Sequence, residues 1–400
     1  MRGRFFAPEA IGTSAILIGG VALGPISTDL YLPSVPSIGR DLGADVAATQ
    51  LTLSIFLAAF AIAQIPVGPL SDRFGRRPLF LAGLAVYALA SVACAVAPSI
   101  ELLIGARTIQ AIGACAGVVL GRAIVRDIYG RDRAARMLAY IGSAMALAPM
   151  IGPILGGIVQ STLGWRWNFA MLTSFGVATL AFAWIGLAES NPKRDPSALD
   201  PARMAANFGT LLRHRAYLGF ALSVAFSYAG LFAFISGSSF VLIDGLGVPA
   251  ERFGYFFATV VVGYMTGTQI AGRLTMRLGI ARMIWIGGTV CVAAGFAMVL
   301  LGPFAASPWG PAAVVAPMVC YMIGTGIVMP NGQAGALGPF AHMAGAASAL
   351  MGFLQMAIAA LIGIAFGQLH DGTPLPMALL VAACGVCCLA SFVALARRAS

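Results

Sequence analysis

The feature that most constrains this chain is a succession of long apolar runs separated by short polar breaks. A helix needs about 20 mostly apolar residues to cross the hydrocarbon core of a bilayer. On that basis the runs predict twelve spans, at approximately 10–32, 47–70, 78–97, 100–125, 135–160, 167–188, 215–241, 251–274, 281–303, 309–333, 343–368 and 375–396. Only 10% of the residues are charged and 60% are apolar, whereas a soluble domain is about 25% charged. Too little polar surface is left for a fold that lives in water. The expected class is therefore an all-α membrane protein of twelve transmembrane helices.

The polar breaks give the orientation. Arg40, Arg166 and Arg252 fall on one side and Arg107 lies inside a span, while the rest of the 24 Lys and Arg residues fall on the other side. Basic loops stay in the cytoplasm, which predicts both termini and the central loop there. Arg2 and Arg4 precede the first run as in a secretion signal, but that run is too long and lacks a small-x-small cleavage site. It reads as the first span. The net charge of +10 is spread over short loops rather than gathered on one polar face, which argues against nucleic acid as a partner. The seven cysteines sit within apolar runs and read as small hydrophobes. Cys384, Cys387 and Cys388 have a metal-like spacing but no accompanying His, Asp or Glu, so no metal site is expected.

The only long polar connection is Glu189–Arg215, with Pro192, Pro196 and Pro201. It divides the chain into an N-terminal six-helix bundle (1–190), a cytoplasmic linker (191–214) and a C-terminal six-helix bundle (215–400). Gly68-Pro-Leu-Ser-Asp-Arg-Phe-Gly75 and Gly272-Arg-Leu-Thr-Met-Arg-Leu-Gly279 occupy equivalent places in the two halves. Parallel repeats of this kind are one plan of secondary transporters, with the site near the midplane between halves.

Two charges lie well inside spans, away from the charged residues near span ends. Asp29 ends the first and Arg107 enters the fourth from the same outer side, with Gln110 on the face of Arg107. Ionisable groups at that depth are functional candidates. Arg107 is expected to pair with Asp29, or with Gln110 and backbone carbonyls. In Gly68–Pro78, membrane orientation explains the arginines but not Asp72, since Lys and Arg set topology. Gly68, Asp72, Arg73, Gly75, Arg76 and Arg77, with Asp127 ending the fourth span, form a candidate inner gate. The second copy has Met276 in place of the acid. The fifth span carries Gly152, Pro153, Gly156 and Gly157, small residues that permit close helix approach and a proline that bends the helix.

Four stretches together resemble the major facilitator superfamily. They are Asp29-Leu-Tyr-Leu-Pro-Ser-Val-Pro36, Gly68–Pro78, Arg107-Thr-Ile-Gln-Ala-Ile-Gly113 and Gly152-Pro-Ile-Leu-Gly-Gly157. Pro249–Tyr255 and Phe340–Ser348 add to the match. The whole chain is similar to the twelve-span drug:proton antiporters, and within them to the Bcr/CflA group of bacterial multidrug efflux transporters. The resemblance implies proton-coupled export of small amphipathic compounds, chloramphenicol- or bicyclomycin-like, across the bacterial inner membrane by alternating access. It implies a role in proton transfer for Arg107 and Gln110, and it makes Gly152–Gly157 an antiporter motif. Ala148 stands there where glycine is usual.

Partners are then a small-molecule drug, protons and the lipid bilayer, with the chain a monomer and no cofactor. Gln64, Tyr228, Phe232 and Gln355 are candidate cavity residues, because pockets are mostly apolar with few polar groups. Uptake of a metabolite by symport is the rival within the fold; the antiporter-like fifth span favours export. A sensor or an intramembrane enzyme is the rival from another class. An enzyme needs clustered acids, histidines or a nucleophile with its base, and only one acid and one arginine lie well inside the spans.

Overall fold

The computed structural model describes residues 6–7, 10–129, 131–191, 194–302, 304 and 310–396. Arg2, Arg4, Lys193, Arg397 and Arg398, all counted in the charge asymmetry, lie outside them. The described residues form helices and connecting turns, with no strand among them.

The first half contains α1 (Ile11–Asp29), α2 (Val35–Leu42), α3 (Val46–Phe74), α4 (Arg76–Ala95), α5 (Ile100–Ile128), α6 (Arg131–Thr162) and α7 (Trp165–Gly186). Next comes α8 (Pro201–Arg213), on the polar connection. The second half contains α9 (Arg215–Ser239), α10 (Ala250–Leu278), α11 (Ile280–Leu301), α12 (Gly310–Leu337), α13 (Ala344–Leu369) and α14 (Leu375–Ser391). Among the described residues, eleven helices are long and apolar enough to cross a membrane. Ala250–Leu278 is not among them. It is as long as α3, 29 residues, but Tyr255, Thr259, Thr266, Thr268 and Gln269 dilute its apolar character.

Helix ends follow local chemistry. Asp45 caps α3 by accepting from Ala48 N at 2.7 Å, and Ser99 caps α5 by accepting from Leu102 N at 3.4 Å. Side-chain oxygens satisfy the otherwise unpaired N–H groups of the first turn in this way. The first apolar run does not end at residue 32 as expected. A turn of 3-10 helix at Leu32–Ser34 passes the chain into α2, with prolines at the start of each segment.

The Gly68–Pro78 segment is also less of a loop than it reads. Helix α3 continues to Phe74, α4 starts at Arg76, and Gly75 alone makes the break, with φ +105°. Gly279 makes the same break between α10 and α11, with φ +81°.

Within the first half α1 packs on α5, α6 and α7, and α4 packs between α5 and α7. In the second half α9 packs on α12, α13 and α14, and α12 on α10 and α11. Two long seams join the halves, α3 along α13 and α6 along α10. Away from the α3–α4 turn, Arg40 after the first span and Asp244 after α9 form an ion pair of 2.7 Å across the halves.

Candidate functional site

Arg107 is fully buried in α5, on the face turned toward α1 and α3. Its Nη1 donates to Gln110 Oε1 at 2.6 Å and to Ser27 O at 3.1 Å, and its Nε to Thr52 O at 3.3 Å. The guanidinium lies over the rings of Phe56 and Tyr31, at 4.3 and 4.5 Å from their centroids. Ring faces attract a cation electrostatically, and more so where water is excluded.

The network extends outward from Gln110. Its Nε2 donates to Ser91 Oγ at 2.7 Å, while Ser27 and Tyr87 share a hydroxyl bond of 2.7 Å. Tyr31 and Thr52 share another at 3.2 Å. Four helices of the first half therefore meet at one buried polar cluster.

Asp29 is outside that cluster. It is 3% exposed at the end of α1, and Thr28 Oγ1 donates to its Oδ1 at 3.3 Å. Of the two pairings expected for Arg107, the structure contains the one with Gln110 and carbonyls and not the one with Asp29. The reason is angular. Ser27 and Asp29 are two residues apart on a helix and point to different sides, so Ser27 turns its carbonyl to α5 while Asp29 faces α6. A β-carbon added to Gly152 of α6 would lie 3.1 Å from the Asp29 β-carbon. The turn that follows Asp29, Leu32–Ser34, packs on α9 and α10, so the acid sits near the junction of the halves.

The remaining small residues of α6 explain its closeness to its neighbours. Gly156 lies against the Leu30 carbonyl and Gly157 against the Ala250 carbonyl of α10, leaving no room for a side chain at either position. Asn168 Nδ2 donates to Gly156 O at 3.2 Å and to Ser34 Oγ at 2.8 Å. Pro153 lies within the helix between these contacts.

At the opposite face, Arg76 is the hub of the charged cluster. Its Nη2 is 2.7 Å from Asp72 Oδ1, its Nε donates to Asp127 Oδ2 at 2.9 Å, and its Nη1 donates to Ser71 Oγ. Arg77 donates from Nε to Leu187 O at 2.6 Å and from Nη2 to Trp184 O at 2.9 Å, at the end of α7. Arg73 lies over the ring of Phe74. Gly68 is an ordinary α3 residue with open space beside it.

One residue of this cluster was missed in the sequence. Glu189 accepts from Arg76 N at 3.0 Å and Arg77 N at 3.2 Å, and also from Ser190 N and Asn191 N. A carboxylate at a helix N-terminus satisfies free N–H groups and opposes the helix dipole. The polar connection is tied on further by Asp195 N donating to Asp72 O at 3.1 Å.

The four candidate cavity residues diverge. Tyr228 and Gln355 are half-buried; Gln64 is half-buried against Gly352 of α13. Phe232 is 1% exposed and packed at Gly363. Among the described residues, no group of His, Cys, Asp or Glu could hold a metal ion.

The model of the Major Facilitator Superfamily matches residues 17–364. An uncharacterized MFS-type transporter, YdgK of Bacillus subtilis, is 33% identical over 91% of this chain and 90% of its own. A bicyclomycin resistance protein homolog of Haemophilus influenzae is 29% identical over 94% of each chain. A chloramphenicol resistance protein of Pseudomonas aeruginosa is 33% identical over 82% of this chain and 77% of its own. Among solved structures, a POT family transporter in complex with 5-aminolevulinic acid superposes with a TM-score of 0.76, covering 97% of both chains at 13% identity.

Proposed function

The chain belongs to the Major Facilitator Superfamily, and from that premise we propose that it exports small amphipathic drugs in exchange for protons. It is a multi-pass membrane transporter and not an enzyme. Relatives named for bicyclomycin and chloramphenicol resistance support drug export and suggest compounds of those two kinds as substrates. In this reading α10 also crosses the membrane and completes the set of twelve spans, both termini are cytoplasmic, and the chain works as a monomer in a bacterial inner membrane. Residues 1–190 and 215–400 are two bundles that rock about a central site, joined by 191–214.

The observation that carries the coupling is Asp29, a buried carboxyl group near the junction of the halves with a hydroxyl bound to it and, among the described residues, no cation. Such a group can take up a proton while open to one side and release it when open to the other. Arg107 and Gln110 hold the adjoining wall of α1, α3 and α5 in place, and through the Ser27 carbonyl they set the position of the last turn of α1. Gly152, Pro153, Gly156 and Gly157 let α6 close against that turn and against α10 on the outer side. Gly68–Arg77, Asp127 and Glu189 form the inner gate, a rigid corner of the first bundle. Gln64, Tyr228, Phe232 and Gln355 face the path taken by the drug in one state or the other.

The test is a drug panel on an efflux-deficient bacterial strain expressing the chain, with Asp29→Asn alongside. Protection against at least one compound, lost in Asp29→Asn at equal membrane abundance, is expected. Equal protection by both proteins would remove Asp29 from the mechanism, and protection against none would remove the drug-export reading.

A further inference from the structure

At the end of the first bundle that holds Arg40 and Arg166, α2 and the turn between α6 and α7 frame a cavity of about 540 Å³ that the mechanism above does not use. Its polar lining is Ser37, Arg40 and Asp41 of α2 and Arg166 of α7, and Trp165 and Trp167 line it as well. Small-molecule sites have volumes of about 300–1,000 Å³, so the space suits a ligand. Asp41 organises the cluster: its Oδ2 accepts from Arg166 Nη1 at 2.6 Å and from Trp165 Nε1 at 2.9 Å. Arg40 reaches the other way, to Asp244 at 2.7 Å.

These charges do not use one another up. The side chains of Arg166 and Asp41 are 45% and 49% exposed. Both bonds to Asp41 fall on Oδ2, so Oδ1 has no partner among the described residues, and neither have Arg166 Nε and Arg40 Nε. Exposed pairs contribute little by themselves, so a further charged group can join without breaking a strong bond. Two guanidinium groups beside one carboxylate suit a ligand that carries an anion and a cation a short distance apart. The surroundings indicate its source. Trp167 is exposed and is followed one turn on by exposed Met171, while Ile151, Leu155 and Ile158 make an exposed apolar stripe on α6. In a membrane-spanning bundle such stripes face hydrocarbon, and tryptophan at a span end sits at the headgroup level. The cavity thus adjoins a surface for acyl chains.

We propose that this cavity binds a zwitterionic phospholipid whose headgroup ends in a primary ammonium, with the phosphate on Arg40 and Arg166, the ammonium on Asp41 Oδ1, and the acyl chains along the exposed stripes of α6 and α7. Arginine suits the phosphate because its planar fork presents several donors to the oxygens. Helix α7 adds to this, since Gly164 gives it no side-chain cap and first-turn N–H groups favour an anion. The ammonium end sets the selectivity. A primary ammonium donates to the open carboxylate oxygen, a trimethylated one has no N–H to donate, and a glycerol headgroup brings no cation. A quaternary ammonium would instead seek an aromatic face, and Trp165 already has the Arg166 guanidinium over its ring at 4.2 Å. Such a site requires only that the bundle span a membrane, whatever the chain exports.

The experiment is native mass spectrometry on the purified full chain, stripped of lipid in detergent and titrated with phosphatidylethanolamine, phosphatidylcholine or phosphatidylglycerol of identical acyl chains. The wild-type chain should hold a phosphatidylethanolamine about tenfold more tightly than either of the others, the worth of one hydrogen bond between charged groups. Equal retention of phosphatidylcholine would overturn the proposal, and that comparison needs no variant. Asp41→Asn should bring the preference below about twofold, and Arg166→Gln should weaken retention of phosphatidylethanolamine by about tenfold. Unfolding temperatures establish that each variant is folded. An undiminished preference in both folded variants would put the lipid elsewhere and would also overturn the proposal. So would competition by soluble glycerophosphoethanolamine as strong as that of the intact lipid, since the cavity would then be a site for a solute.

Discussion

Arg107 is a buried cation held by carbonyls, an amide and ring faces. Removing one partner of such a group leaves the desolvation of the other unpaid. Gln110→Leu strips an acceptor from Arg107 and a donor from Ser91, and should destabilise the protein by about 1–3 kcal/mol, read as a lower unfolding temperature in detergent. Arg107→Lys keeps the charge but loses the planar fork that reaches three acceptors. It should leave a folded protein that exports more slowly; wild-type export would reduce Arg107 to a point charge. The sequence made Arg107 legible because it is the arginine inside a span. Its surroundings were not legible, since Tyr31, Phe56 and Phe169 lie on three separate elements and only packing brings them together. Depth along a span could be counted from the residues, but the direction in which Asp29 faces could not.

The two inter-helix breaks at Gly75 and Gly279 form a natural pair for comparison at the level of elements. Both have backbone angles that are essentially glycine-only, where another residue costs of order 1–3 kcal/mol. Gly279 has nothing within 4 Å of where a side chain would start, whereas at Gly75 the Glu189 carboxylate stands there. Gly75→Ala should therefore destabilise more than Gly279→Ala, by unfolding temperature in the same detergent. Glu189→Ala should cost about 1 kcal/mol, the usual worth of a helix cap, and should narrow the difference between the two glycine variants. A wider or unchanged difference would deny Glu189 its place at the turn. The apolar runs gave nearly every helix, because span length is a hard physical requirement. They placed the first span's end too early, since Leu32–Leu42 continues as short helices that amphipathic residues and prolines start and stop. Glu189 could not be read at all: it sits 113 residues from Arg76, and nothing in its local sequence marks it as a cap.

At the scale of the whole molecule, the halves meet through α6 against α10 and α3 against α13, with the Arg40–Asp244 pair closing one end. At the opposite end the described ion pairs of Arg76 stay within the first half, and Glu189 ties the polar connection to it by accepting from the Arg76 and Arg77 backbone N–H groups. The measurement that bears most directly on the central claim is drug uptake into everted vesicles, with a proton gradient imposed by acidifying the interior. Wild-type protein should concentrate drug and alkalinise the vesicle interior as it does so. Asp29→Asn should still let drug equilibrate but should neither concentrate it nor move protons. Concentration of drug by Asp29→Asn to the wild-type level would contradict the account.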